Sequence, residues 1–261
     1  MRAVGRALAE RRGGSGELSC RTVWVGKHRR VRFAEAAAAD ATALAQDLRA
    51  RGAAHLAEQL VAAYALAADD YGVLRKVEAS ARGEALAIAV GGLVASGKST
   101  VAKLVSRRLG APRVVADRVR RALLEQAGRR AAHELTWEAD FGDRVYASLL
   151  ERAGEVLASG RSVVLDACFP TEARRHAVAA LAAKHGARFV LAVCAAPEED
   201  IVARLRLRDV RDDVAPGAWE KLAREVEAVW EPPGRGEHVP LDTSLPRSAW
   251  LRALGLAKER A

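Results

Sequence analysis

The sequence predicts an α/β fold of three layers: a mostly parallel, five-stranded sheet between two layers of helices, preceded by a small helical segment. Three observations predict it. Short apolar runs alternate with helical patterns from residue 86 onward, the order that produces parallel strands joined by crossover helices. The first run, Leu86-Ala87-Ile88-Ala89-Val90, is apolar at every position, as a strand buried on both faces should be. It ends in Gly91-Gly92, and two later runs end at Asp117 and Asp166. These are the carboxyl ends of strands, where open parallel sheets bind ligands.

The elements follow in order. Residues 1–32 are basic and show little periodicity, and are expected to form a loosely ordered arm. Residues 33–84 read as helices, because Ala41, Leu44 and Leu48, then Leu56, Leu60 and Ala63, recur at helical spacing. Arg51-Gly52 and Asp69-Asp70-Tyr71-Gly72 mark its breaks. Residues 85–261 form the main domain. After the first strand a helix runs from Lys98 to about Leu109. Arg113–Ala116 is the second strand, with helices over 118–127 and 139–158. Ser162–Leu165 is the third strand, followed by a helix over 172–185. Arg188–Cys194 is the fourth, with helices from Pro197 to about Arg208 and over 217–230. Glu237–Leu241 is the last strand, and a short helix covers 247–254.

With 261 residues, half of them apolar, the chain can build one sizeable core and a smaller appendage. The net charge of +9 suggests nucleic acid, but its distribution does not: residues 1–32 carry nine Lys or Arg and two Glu. The basicity is mostly that of an arm, which makes nucleic acid the less favoured partner. Cys20, Cys168 and Cys194 are far apart and odd in number, which implies neither a disulfide framework nor a zinc site. Reduced thiols fit a cytoplasmic protein. No apolar run reaches the length of a membrane span. No obligate protein partner is evident.

The pattern Gly-x-x-x-x-Gly-Lys-Ser occupies residues 92–99, with Thr100 after it. It stands between a buried strand and an amphipathic helix, the context of a P-loop NTPase fold. Gly92 and Gly97 allow the backbone to curl around phosphate, with Ala95 and Ser96 supplying loop N–H groups. Lys98 reaches the β- and γ-phosphates. The Ser99 hydroxyl, with Thr100 beside it at the helix start, faces Mg²⁺. ATP with Mg²⁺ is the expected ligand. Asp166 ends the run Val163-Val164-Leu165 in the manner of a Walker B strand, and is expected to hold Mg²⁺ directly or through water. Asp117 is placed to accept a proton from an acceptor hydroxyl, or to cap the following helix. Arg120, one turn on, could hold an anionic group.

Arg204 and Arg208 lie four residues apart and share a helix face. With the charged stretch Asp209–Asp213 they suggest a mobile lid that brings positive charge to a moving phosphoryl group; a solvated face paired with acids is the alternative. His133, Trp137, Tyr146 and Trp219 are candidates to line an acceptor pocket, with packing as the plainer use of each.

Together these residues resemble the small P-loop kinases of the zeta-toxin, polynucleotide-kinase and gluconate-kinase type, often grouped with AAA-type ATP-binding proteins. The matching pieces are residues 91–100, Asp117 with Arg120, Val-Val-Leu-Asp-Ala-Cys-Phe at 163–169, Arg-Leu-Arg-Leu-Arg at 204–208 and Val-Pro-Leu-Asp-Thr-Ser at 239–244. The resemblance implies that Asp117 orients or activates the acceptor hydroxyl, that Arg204 and Arg208 belong to a lid, and that Asp242-Thr243 lie near the base. Residues 47–52, Tyr64 and Asp69-Asp70-Tyr71 resemble the end of an aminoglycoside-phosphotransferase-like domain whose catalytic half is missing here, so that activity is not implied. The expected function is transfer of the γ-phosphate of ATP to a hydroxyl of a small molecule. An ATPase or nucleotide-dependent switch, a polynucleotide-end kinase and a remnant that binds without turnover are the alternatives.

Overall fold

The computed structural model describes residues 23–25, 31–33, 41–77, 79, 83–137, 140–211 and 215–257, with the backbone alone at 23–25, 31–33, 76, 128–137 and 211. Its centre is a sheet of five strands: β3 (Leu86–Gly92), β4 (Arg113–Val115), β5 (Val163–Asp166), β6 (Arg188–Ala195) and β7 (Val239–Asp242). Their order is β4-β5-β3-β6-β7, and all four neighbouring pairs are parallel. The motif strand β3 is therefore central. Every residue of it from Ala87 to Gly92 is buried, as its uninterrupted apolar run requires.

Helices cover both faces. They are α3 (Lys98–Leu109), α4 (Ala116–Trp137), α5 (Phe141–Ala158), α6 (Glu172–Lys184), α7 (Glu198–Arg211), α8 (Ala218–Ala228) and α9 (Arg247–Ala253). Val101, Ala102 and Val105 of α3 pack with Ile88, Val90 and Val164 on one face of the sheet. Phe141, Val145 and Leu149 of α5 pack with Ala87, Ala89 and Leu165 on the other. The three-layer P-loop NTPase fold is thus present. α4 is longer than the 118–127 expected: Ala116 and Asp117 already belong to its first turn, and it runs on to Trp137.

The N-terminal helical segment comprises α1 (Ala41–Ala50), α2 (Ala54–Ala68) and a 3-10 turn at Gly72–Lys76. Leu44, Leu60 and Leu74 share one continuous core with Leu149 and Leu165 of the main domain. A buried ion pair fixes the junction. Arg161, just before β5, donates through Nε to Glu58 Oε2 at 2.7 Å and through Nη2 to Oε1 at 3.2 Å. Its other donors reach the carbonyls of Leu74 and Val77. All three nitrogens of the fork are engaged, which is what lets a charge pair persist out of water.

Sequence patterning marks no strand within residues 1–40. The structure has an antiparallel hairpin there, β1 (Val23–Val25) with β2 (Val31–Phe33), Val23 opposite Phe33. Three residues are too few for an alternation to register. The remainder of the basic arm lies outside the described residues.

Candidate functional site

The loop after β3 is shaped by what cannot fit there. Gly92 has φ +126, and a Cβ on it would stand 2.3 Å from the Cys194 carbonyl oxygen of neighbouring β6. Gly97 has φ +90, and its Cβ would meet the Thr243 side chain at 2.9 Å. Both positions need glycine for conformation and for space. Ala95, between them, takes φ +62, a left-handed geometry that an L-residue adopts at a cost. Thr243 props the loop from beneath: its N–H donates to Ala195 O at 2.8 Å and its hydroxyl to Ser96 O at 2.9 Å.

Two side chains in this loop are under-used. The Ser96 hydroxyl is buried and has no hydrogen-bond partner among the described residues. Lys98 folds back so that Nζ donates to Leu93 O at 2.6 Å. A buried polar group without a partner is expensive, and a loop that leaves one inside its curl is built for a ligand with acceptor atoms. Beside it lies a cavity of about 400 Å³ lined by Gly97, Lys98, Ser99, Thr100, Arg204 and Arg208, among others.

Asp166 sits at the end of β5 next to this cavity. Its carboxylate is buried, with Oδ1 accepting from Ser99 Oγ at 3.2 Å. Oδ2 pairs with Arg113 Nη1 at 3.0 Å, the two side chains being 3% and 12% exposed. Burial pushes the Asp166 carboxyl above its ordinary value, while Arg113, Lys98 and the Ser99 hydroxyl pull it down; the Asp117 carboxylate pushes it up. Asp117 is therefore close enough to act on Asp166, and is itself exposed in the first turn of α4. It is not the cap of that helix, since the helix begins one residue earlier. A hydroxyl and a carboxylate side by side are hard oxygen donors, and they fit a magnesium ion that also takes phosphate oxygens and water.

The arginines divide. Arg204 Nη1 donates to Ala95 O at 3.1 Å and Thr243 Oγ1 at 3.2 Å, and Nη2 pairs with Asp200 at 3.2 Å. It ties α7 to the loop. Arg208 lines the same cavity, with its guanidinium 5.0 Å from the Trp219 ring centroid. Arg120 does not join them: it is exposed and stacks over Phe141 at 5.2 Å.

The stretch after Arg208 is also less loose than its charge suggests. Asp209 is buried and accepts from the N–H groups of Gly217 and Trp219, which pins α8 to α7. Residues 212–214 lie outside the described residues. Tyr146 serves the site indirectly, its hydroxyl accepting from Phe169 N–H at 2.9 Å. The side chains of His133 and Trp137 lie outside the described residues. Asp242 is exposed and held by the N–H and hydroxyl of Ser244; only Thr243 of that pair reaches the cavity.

Sequence patterning missed Arg113. A single arginine opening a three-residue strand carries no signal, and its partner lies 53 positions away. It also missed Trp250, whose indole N–H donates to Asp242 O at 2.7 Å and whose ring lines the cavity.

Comparison with solved structures gives the same fold. A candidate kinase from Chloroflexus aurantiacus aligns with a TM-score of 0.51 and 19% identity over 67% of this chain and 96% of that one. A gluconokinase from Sinorhizobium meliloti gives 0.47 and 19%, over 67% and 93%. An APS kinase from Mycobacterium tuberculosis, solved with AMPPNP and APS, gives 0.46 and 24%, over 68% and 98%. No curated protein matches the sequence. The family model described as an AAA domain matches residues 88–233. That span is more than half of the chain and holds the loop, Asp166 at the end of β5, Asp117, which lies in α4 and not at a strand end as expected, and the α7 arginines, so the chain belongs to the AAA domain family.

Proposed function

We propose that the chain is a kinase that binds ATP with Mg²⁺ in the loop at 92–99 and transfers the γ-phosphate to a hydroxyl of a small molecule. The observation that carries this reading is the cluster at the strand ends. The Lys98 loop and the Ser99–Asp166 pair at 3.2 Å lie together, and the charge of a second carboxylate, Asp117, reaches Asp166. An ATPase needs the first two. A second, exposed carboxylate in the first turn of α4, just past β4, suits an enzyme that also receives an acceptor.

In this reading Gly92, Ala95, Ser96 and Gly97 present the loop backbone to the phosphates, with Thr100 at the helix start. The Ser96 hydroxyl gains an acceptor there, and Lys98 exchanges the Leu93 carbonyl for phosphate oxygens. Ser99 and Asp166 hold Mg²⁺, which when bound neutralises phosphate charge. The acceptor oxygen forms a bond to the γ-phosphorus, and the bond from that phosphorus to the ADP oxygen breaks. Asp117 takes the acceptor's proton. Arg204 and Arg208 carry positive charge from α7 over the cavity. The position of Arg120 over Phe141 favours a contact with the acceptor's outer part over one with the moving phosphoryl. Residues 33–84 act as a supporting segment fused to the main core.

The test is transfer of radiolabelled γ-phosphate to pooled sugars, sugar acids, nucleosides and oligonucleotide ends. The reading expects one pool to be labelled and Asp117→Ala to abolish labelling while ATP still binds. ATP hydrolysis that ignores every pool and survives Asp117→Ala would replace the kinase with an ATPase.

A further inference from the structure

A second cavity, of about 290 Å³, lies between α2 and α3 beside edge strand β4. Its lining includes Lys103 and Arg107 of α3, Arg113 of β4 and Arg118 of α4, while Ala62 and Leu66 of α2 form an apolar wall. No carboxylate is among the described residues that line it. We propose that this cavity is a binding site for a small multivalent oxyanion, a phosphate ester or a polycarboxylate.

Cations gather here with no carboxylate among the described lining residues, unlike several paired arginines elsewhere. Arg152, Arg161, Arg174 and Arg204 each meet a carboxylate. None of the salt bridges among the described residues involves Lys103, Arg107 or Arg118. Lys103 and Arg107 are four apart on one helix and repel each other, a repulsion that an anion between them would reverse. Two of the cations are held in place. Arg118 Nη2 donates to Ala67 O at 3.3 Å. Arg113 has Nη1 on Asp166, and its carbonyl accepts from the Tyr71 hydroxyl at 2.8 Å. A guanidinium has five N–H donors in a rigid fork, so Arg113 can hold Asp166 and still face the cavity. The volume is close to the lower end for small-molecule pockets, which run from about 300 Å³. The alanine and leucine wall suits a short carbon body behind the charged group. Because Arg113 belongs to both places, an anion here shares a guanidinium with the carboxylate at the nucleotide cavity.

Inorganic phosphate and citrate serve as probes, titrated by calorimetry into the full chain. Phosphate can also enter the Lys98 loop, so all titrations use the Lys98→Ala background, and the readout does not depend on ATP turnover. The site predicts one bound anion per chain, weakening as sodium chloride rises. Lys103→Gln/Arg107→Gln, which keeps much of both stems on an exposed helix face, should weaken binding at least tenfold with the melting temperature unchanged. Preference for phosphate identifies a phosphate ester, and preference for citrate a polycarboxylate. Binding of neither probe, or binding that the double substitution leaves intact, would overturn the proposal.

Discussion

The Lys98 loop and the Glu58–Arg161 junction are both built from polar groups inside the molecule, and they are finished to opposite degrees. At the junction all three guanidinium nitrogens of Arg161 are engaged, on a carboxylate and two carbonyls. In the loop one buried hydroxyl has no partner and the lysine rests on a carbonyl of its own turn. The junction is complete without a ligand and serves stability. The loop is incomplete, and Ala95 holds a left-handed backbone at φ +62 that costs an L-residue free energy. Polar groups left open in one place and closed in another are how a fold separates binding from support.

Substitutions can break this contrast. The largest effect on stability is expected at the junction. Arg161→Ala leaves the buried Glu58 carboxylate with Arg49 alone, at 3.5 Å, a loss of about 3 kcal/mol, measurable by urea denaturation. Replacing both partners together, as in Glu58→Leu/Arg161→Met, should cost far less; an equal loss would show that packing, not the uncompensated charge, dominates. Next comes Gly92→Ala. The new Cβ meets a backbone carbonyl at 2.3 Å, so the strand must shift, and a loss of about 1–3 kcal/mol is expected for the strain. Lys98→Ala should behave in the opposite way. It removes one partly buried contact and leaves the melting temperature nearly unchanged, while ATP affinity falls by about 1.5–3 kcal/mol, the value of a charged hydrogen bond.

The smallest effect is at the link between the two regions. Tyr71→Phe deletes the hydrogen bond to Arg113 O, worth about 1 kcal/mol. Burial raises the Tyr71 phenol well above its ordinary value of 10.0. The unfolded chain therefore loses that proton first, and the stability this group contributes is present below pH 10.0 and lost as pH rises beyond it. Tyr71→Phe should flatten the alkaline side of the stability profile. An unchanged slope would place the alkaline loss on other groups, such as Tyr146 or Cys194, each raised to about 12 by burial.

The same contrast explains what could be read from the sequence. The loop is legible because its chemistry is local: eight consecutive residues carry the glycines, the lysine and the serine, and the flanking strand and helix announce themselves by periodicity. Asp166 was legible because strand ends are where such sheets bind. The junction was not, because Glu58 and Arg161 are single charges 103 positions apart, and nothing in either neighbourhood says that they meet. Arg113 and the basic cavity escaped for the same reason, being assembled from α2, α3, β4 and α4. Helical spacing put Arg120 one turn from Asp117, but that spacing carried no sign of the Phe141 ring on α5 over which its guanidinium lies.

The most direct test of the open loop is the melting temperature of the full chain with and without ATP and Mg²⁺. A ligand that binds only the folded chain stabilises it by mass action, about 2.7 kcal/mol at a hundred times its dissociation constant. The structure predicts a rise in melting temperature for the native sequence and none for Lys98→Ala, with Arg161→Ala starting lower but still rising. No rise in the native chain, or a rise that Lys98→Ala keeps, would contradict the assignment of this loop as the nucleotide site.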